Sequence, residues 1–339
     1  MDKILLEQDL TSKNTFGIRA TCRFFYELNS IHLFNELMES SIYREHVKLI
    51  LGGGSNVLFT KNYDGLVIKN NLKGIEILRE EDENVFVKAS AGENWHQFVL
   101  WCINRNLGGV ENLSLIPGNV GASPMQNIGA YGVELKDVFY ELEAVHLETG
   151  TPTIFKNHEC EFGYRESVFK HKFKNQYLIT SVTFRLDKNP RFNISYGNIN
   201  QELEKMGIQE LTIKAISDAV INIRSSKLPS PDQLGNAGSF FKNPEVTKDK
   251  YEELLISFPD LVAFPLSNGN MKLAAGWLIE KAGWKGYKLN DAGVHSKQAL
   301  VLVNYGKATG EEIYRLSTQI VESIQDRFNV ILEREVNIY

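Results

Sequence analysis

The residues best placed to do chemistry lie in five short segments. The segment Gly235-Asn-Ala-Gly-Ser-Phe-Phe-Lys-Asn-Pro244 sets Ser239 between a glycine and two phenylalanines, with Lys242 and Asn243 close behind. Phe162-Gly-Tyr-Arg165 presents Tyr164 and Arg165 beside a glycine. Arg224 and Lys227 fall at the end of a helical stripe. Glu333 and Glu335 alternate with Arg334, so an extended chain would place both carboxylates on one face. Gly52-Gly-Gly-Ser-Asn56 follows a short apolar run. A serine hydroxyl, an arginine and a carboxylate could handle a proton and a developing negative charge. Each also has an ordinary reading: a turn hydroxyl, a cation favouring a helix C-terminus, a solvated strand face.

The glycine loops suggest what such groups would act beside. Three glycines after a buried strand let the backbone turn with positive φ and approach a ligand closely. Their N–H groups can form an anion nest, to which Ser55 and Asn56 add donors. A plain tight turn explains the same residues. Neither a phosphate-loop lysine nor the third glycine of a dinucleotide fingerprint follows, since Val57 stands in that place. The stretch from Ile116 to Gly132 is built from small residues and cannot form a core of its own. It can wrap a large flat ligand, and its length favours a binding role.

The elements that must position these groups alternate in type. Val47-Lys-Leu-Ile-Leu51, Val85-Phe-Val-Lys-Ala89 and Ala299-Leu-Val-Leu-Val303 read as strands. Residues 177–186 read as a long strand with Leu178, Val182, Phe184 and Leu186 on one face. Residues 330–336 read as a last strand. Asn94 caps a helix bearing Trp95, Phe98, Val99, Cys102 and Ile103. Ile213, Ile216, Val220 and Ile223 make a second helical stripe, and Leu273, Trp277 and Leu278 a third. Thr309 and Glu312 have capping-box spacing before a fourth, along Ile313, Leu316, Ile320 and Ile324. Polar stretches at 69–73 and 225–238 are candidate boundaries. The pattern predicts an α+β or mixed α/β chain.

The bulk composition excludes several classes. At 339 residues, two or three domains are expected. With 43% hydrophobic residues the chain can build sizeable cores without staples. A net charge of −5 is not the basic footprint of a nucleic-acid binder. Cys22, Cys102 and Cys160 lack zinc or disulfide spacing, so no metal site is expected and all three read as buried apolar residues. The segment Met1-Asp-Lys-Ile-Leu-Leu-Glu7 is too acidic and short in apolar length for a leader, and no run of about 18 apolar residues exists. A cytoplasmic protein without a membrane partner is expected.

Taken in order, these segments resemble the UDP-N-acetylenolpyruvoylglucosamine reductase family. The likeness begins at Asn14-Thr-Phe-Gly17 and passes through Gly52-Gly-Gly-Ser-Asn-Val-Leu-Phe59 and Ala91-Gly-Glu-Asn-Trp-His96. It continues through the long loop, Phe162 to Arg165, Lys227-Leu-Pro229 and Gly235 to Pro244. It ends with Lys272 to Ile279, His295 to Val303 and Glu333-Arg-Glu-Val336. Single motifs here are weak; their ordered set is specific.

The resemblance implies an α+β fold: a vanillyl-alcohol-oxidase (PCMH) type FAD-binding domain in two α+β parts, then a C-terminal α+β substrate domain. The parts fall at 1–72 (joined by a strand at 328–339), 73–224 and 225–327. It implies noncovalent FAD, NADPH as hydride donor, and UDP-N-acetylglucosamine enolpyruvate as substrate, in peptidoglycan precursor synthesis. A monomer is expected. The FAD cradle falls on Gly52, Gly53, Gly54, Ser55 and Asn56, and on Pro117, Gly118, Gly121, Ala122, Ser123, Gln126, Asn127, Gly129, Ala130 and Tyr131. Ser239 matches the proton donor, and Arg165 and Glu335 the pair that stabilises the intermediate. Tyr196, Lys227, Asn243 and Gln298 match positions that hold the UDP-sugar, with Tyr164 lining the site. The loop at Ser195-Tyr-Gly197 resembles the longer of two subclasses. Asn337 stands where a basic residue is often found.

Two other classes compete. One is an oxidase on the same scaffold using O₂; many of these hold FAD through His or Cys, absent from 52–59 and 114–132. The other is a flavin or nucleotide-sugar binder without activity, which would not need Arg165, Ser239 and Glu335 together.

Overall fold

The computed structural model describes residues 4–339. Met1, Asp2 and Lys3, which enter the leader reading and the first expected domain, lie outside that range. The chain divides into two compact units. The first holds the start of the chain through Gln8, Cys22–Gly53 and Asp64–Ser226. The second holds Asp9–Thr21, Gly54–Tyr63 and Lys227–Tyr339.

In the first unit a four-stranded sheet runs in the order Leu5–Asp9, Thr21–Leu28, Tyr63–Asn70, Lys48–Leu51. Lys48–Leu51 pairs in parallel with Leu66 to Lys69, which delivers the chain into the glycine loop. Its core includes Tyr26, Phe34, Leu66, Ile68 and Leu178. A five-stranded antiparallel sheet runs Pro152–Lys156, Phe139–His146, Tyr177–Asp187, Asn84–Ser90, Ile75–Glu80. The helix Trp95–Ile103 packs on it, with Phe98 4.5 Å and Trp95 5.9 Å from Phe184 between ring centroids. Asn94 caps that helix through Oδ1, which accepts the Gln97 N–H at 3.0 Å.

The one-face reading of 177–186 fails at its start. Val182, Phe184 and Leu186 join the core of the five-stranded sheet, whereas Leu178 joins the core beneath the four-stranded one. The cause is a bulge: Ser181 pairs with Glu143 and Ile179 with Ala144, leaving Thr180 unpaired in the ladder. One extra residue reverses the alternation. Thr180 still accepts the Ala91 N–H at 2.9 Å.

The second unit pairs Gly235–Ser239, Val301–Asn304, Ala292–Val294 and Lys288–Leu289 in one antiparallel sheet, with a smaller sheet of Glu245–Val246, Met271–Leu273 and Ala263–Pro265. The helix Gly310–Phe328 covers a core of Phe240, Leu278, Leu302, Ile313, Ile320 and Ile324. Its capping box forms: Thr309 Oγ1 accepts the Glu312 N–H at 3.2 Å, and Glu312 accepts the Thr309 N–H at 2.7 Å. Leu273 ends a strand, and the helix begins only at Ala275.

Residues 330–336 do not form the expected strand. They run extended with a single bridge, Arg334 to Phe241, and regular pairing starts at Asn337–Ile338, parallel to Val57–Leu58. Glu333 is solvent-exposed and pairs with Lys242 at 2.7 Å, while Glu335 is half-buried. All three cysteines are buried free thiols, and burial pushes the Cys22 thiol up to about 11.

Candidate functional site

In the first unit the two expected ligand loops meet backbone to backbone. A Cβ on Gly53 would stand 2.8 Å from Gly118 Cα, so only glycine permits the approach. One on Gly121 would stand 2.5 Å from Ala91 Cβ. The Gly121 N–H is held by the Ala91 carbonyl at 2.9 Å, and the Val120 N–H by Glu93 at 2.9 Å. Lys69 donates its ammonium to the Gly52 carbonyl. These bonds fix a loop made of two short 3-10 turns, Val120–Ala122 and Pro124–Gln126.

Some expected cofactor residues spend their side chains on bonds to the protein. Ser123 Oγ donates to Val120 O at 2.6 Å and is buried. Asn127, fully buried at φ +44°, donates to Gly163 O at 3.0 Å and Glu134 at 3.1 Å and accepts the Lys136 N–H. Both shape the loop.

Arg165 is brought to that loop. Its Nη2 donates to Gly129 O at 2.8 Å, and a Cβ on Gly129 would meet Arg165 Nη1 at 3.2 Å. Arg165 itself sits in the left-handed region at φ +56°, a conformation disfavoured for a side chain of this size. The Lys170 ammonium bonds its carbonyl at 3.3 Å. Tyr164 is exposed, its ring 5.6 Å from the Arg165 guanidinium. Tyr196 is half-exposed, with Cβ packed against Gly132.

Two residues of this unit receive no role from the family resemblance. Arg224 Nε is closed off from solvent and has no hydrogen-bond partner. Burial lowers its pKa from the usual value, the Tyr131 hydroxyl opposes that, and the Arg165 charge adds to it. The guanidinium keeps its proton all the same. A buried, unpaired guanidinium nitrogen is costly to leave unmade, so the site suits an electron-rich or anionic group. The signal was present: Arg224 lies four residues after Val220, on the apolar stripe of its helix. His96 is the other. Its Nδ1 accepts the Leu115 N–H at 3.0 Å, and burial, then Arg224, depress its pKa, which favours the neutral ring. Nδ1 as acceptor leaves Nε2 as the donor.

In the second unit Ser239 and Glu335, two of the three expected catalytic residues, lie on neighbouring segments. Ser239 ends the strand Gly235–Ser239 after a bulge, with Gly238 at φ +69°. The next residue, Phe240, accepts the Glu335 N–H at 2.8 Å, so Ser239 and Glu335 sit on hydrogen-bonded neighbouring segments. Asn56 Nδ2 donates to the Glu335 carbonyl at 3.2 Å, tying the glycine loop's end to the same place. Gly54 turns there at φ +68°. Asn243 Oδ1 accepts the Ala275 N–H at 3.0 Å, and Gln298 Oε1 lies 3.4 Å from where a Gly276 Cβ would be. Both therefore face the start of the helix Ala275–Lys281. Lys227 is exposed at the end of the helix Ile213–Lys227. Among the described residues, no group of three or more His, Cys, Asp or Glu could hold a metal, and no helix is long and apolar enough to cross a membrane.

In the first unit the close-packed glycines, the backbone-lined loop and the orphaned Arg224 nitrogen fit a large, flat, partly anionic cofactor such as FAD. Residues 40–155 match the model of an FAD binding domain, and residues 230–339 that of the UDP-N-acetylenolpyruvoylglucosamine reductase C-terminal domain. A UDP-N-acetylenolpyruvoylglucosamine reductase of Flavobacterium johnsoniae is 50% identical over 97% of this chain and 97% of its own. One from Pseudomonas putida is 48% identical over 96% of both chains. The crystal structure of the Thermus caldophilus enzyme of that name shares the fold, with a TM-score of 0.66 at 21% identity over 100% of this chain and 99% of its own. The chain is thus a flavin-dependent oxidoreductase of the UDP-N-acetylenolpyruvoylglucosamine reductase family.

Proposed function

We propose that the protein reduces UDP-N-acetylglucosamine enolpyruvate to UDP-N-acetylmuramate with NADPH, in the cytoplasm, as a step of peptidoglycan precursor synthesis. The observation that carries the residue assignment is the Ser239–Glu335 neighbourhood built on the Glu335 N–H to Phe240 carbonyl bond. It sets a hydroxyl and a carboxyl on adjoining segments although they lie 96 positions apart in the chain. Bound FAD supplies the two-electron chemistry that links NADPH to the vinyl carbon of the substrate.

The side chains handle the charge and the proton. Reduction at the vinyl CH₂ leaves negative charge on the neighbouring carbon, spread into the substrate carboxylate. Arg165 neutralises that charge, with a planar fork that matches a carboxylate better than lysine would. Its bond to Gly129 O and its left-handed backbone support a side chain held in place beforehand. Glu335, when protonated, donates to the same carboxylate. Ser239 gives its proton to the carbon, which is basic enough to take one from a weak acid. Positioned proton transfer of this kind contributes about 10²–10⁴ in rate. Tyr196, Lys227, Asn243 and Gln298 hold the UDP-sugar, with Tyr164 at the rim. The proposed parts are 1–72 with 328–339 and 73–224 for FAD, and 225–327 for substrate, in a monomer.

The test is spectroscopic. Purified protein should show flavin absorbance that bleaches on adding NADPH under nitrogen and returns on adding the enolpyruvyl sugar. Recovery with O₂ alone at the same rate, or none with the sugar, would overturn the reading.

A further inference from the structure

Asn112 stands apart among the polar groups of its turn. The turn Glu111–Leu113 is wholly buried, and Asn112 is 1% exposed. Its neighbours bond locally or to a single helix: Glu111 accepts the Gly109 N–H at 2.6 Å, and Ser114 Oγ meets Glu111 O and Ser217 Oγ. Asn112 instead sends both protons of its amide to two distant loops. Nδ2 donates to Tyr131 O at 2.9 Å and to Asn193 O at 2.8 Å. Asn193 Nδ2 returns a bond to Gly132 O at 2.9 Å.

These bonds clamp the end of the glycine-rich loop against the base of the loop that carries Tyr196. Gly132 makes the contact close: at φ +79°, its Cβ would stand 2.9 Å from Asn193 Nδ2 and 3.1 Å from Tyr196 Cβ. Gly197 lies against the Tyr131 ring in turn. The two sides differ in their other supports. Gly129–Ala130 pairs with Val133–Glu134, and Arg165 holds Gly129 O. Residues 188–198 belong to no helix or strand; Phe192 and Ile194 pack on a core, and Ser195 to Asn198 are exposed. Losing the clamp would therefore free the Tyr196 side and leave the flavin side in place.

We propose that Asn112 is a positioning residue for the Tyr196 loop: it sets that loop's place against the flavin loop and thereby the affinity for the UDP-sugar. This rests on the reading that Tyr196 holds the UDP-sugar. Asn112→Leu keeps the volume and removes both donors. Two hydrogen bonds at their usual net worth correspond to a rise of about 10- to 100-fold in KM for the enolpyruvyl sugar. Flavin content and the rate of flavin reduction by NADPH should stay within about twofold, since the supports of Gly129–Ala130 are untouched. Chymotrypsin should also cut after Tyr196 about 10- to 100-fold faster, on the same two-bond argument. Asn193→Ala, a milder change in a half-buried loop residue, should move KM and cleavage the same way by a smaller factor, and it carries the test where Asn112→Leu fails to fold. An unchanged KM and cleavage rate, or flavin reduction slowing in parallel with KM, would overturn the role of Asn112. A wild-type enzyme that the enolpyruvyl sugar cannot reoxidise would instead bring down the underlying function and this role with it.

Discussion

Replacing Gly54 by alanine tests whether the glycine loop is shaped by the chain or only tolerated by it. Gly54 sits at φ +68°, where an L side chain costs about 1–2 kcal/mol. A Cβ there would lie 2.0 Å from Lys13 O, 2.9 Å from Lys13 C and 3.0 Å from Asn14 Cα. All three are backbone or backbone-linked atoms, so no side chain can swing clear. The Gly54 carbonyl accepts the Thr15 N–H at 3.0 Å and its hydroxyl at 3.3 Å, which resists displacement from the other side. Overpacking of this kind adds about 1–3 kcal/mol. The sum is a loss of about 2–5 kcal/mol for Gly54→Ala. Gly52→Ala is the control: its Cβ would meet only Asn119 Cβ at 3.8 Å and Ala122 Cβ at 3.9 Å, ordinary contacts. It should stay within about 0.5 kcal/mol of wild type. Urea denaturation of the flavin-free proteins followed by far-UV circular dichroism measures both. Equal stability of the two variants, or a Gly54→Ala loss below about 0.5 kcal/mol, would refute the steric reasoning.

Ser239→Ala should leave flavin bleaching by NADPH intact in stopped flow while reoxidation by the enolpyruvyl sugar slows by about 10²–10⁴. Equal slowing of both half-reactions, or of neither, would remove the proton-donor role. Thr309→Ala deletes the hydroxyl that accepts the Glu312 N–H and should cost about 1 kcal/mol in denaturant unfolding, with no change in flavin reduction. Glu111 tests linkage. Burial raises its carboxyl above the ordinary 4.5, so the folded state holds a proton that the unfolded state releases. Stability from this group is full below pH 4.5 and is lost as pH rises through the folded value. Asp9, Glu245, Asp260 and Glu312 have lowered values and act in the opposite sense. Subtracting the Glu111→Gln profile from wild type isolates the Glu111 slope, and a flat difference would show that its proton is not retained on folding.

How far the fold could be read from the chain depended on the range of the interaction. Asn94 and Thr309 act within one turn, and both caps stand where the spacing puts them. Alternation along 177–186 is local too, but Thr180 breaks it, because a bulge depends on the partner strand's register. The last strand failed for a related reason. Residues 330–336 have strand-like composition, yet Phe240 to Lys242 offers them only scattered pairing, and Arg334 turns to Ser317 and Thr318 on a helix.

By itself the sequence determined the two helices capped by Asn94 and Thr309, the glycine positions where the backbone must turn or approach closely, and the family, because those depend on local sterics and on ordered motifs. Only the tertiary structure decided which polar groups meet. Asn56 reaches the Glu335 carbonyl across 279 residues, and Asn112 reaches Asn193 across 81. It also decided that Arg224 ends with a buried nitrogen unpaired. A side-chain amide or guanidinium carries no mark of its partner in the chain; burial selects one by the cost of leaving the bond unmade.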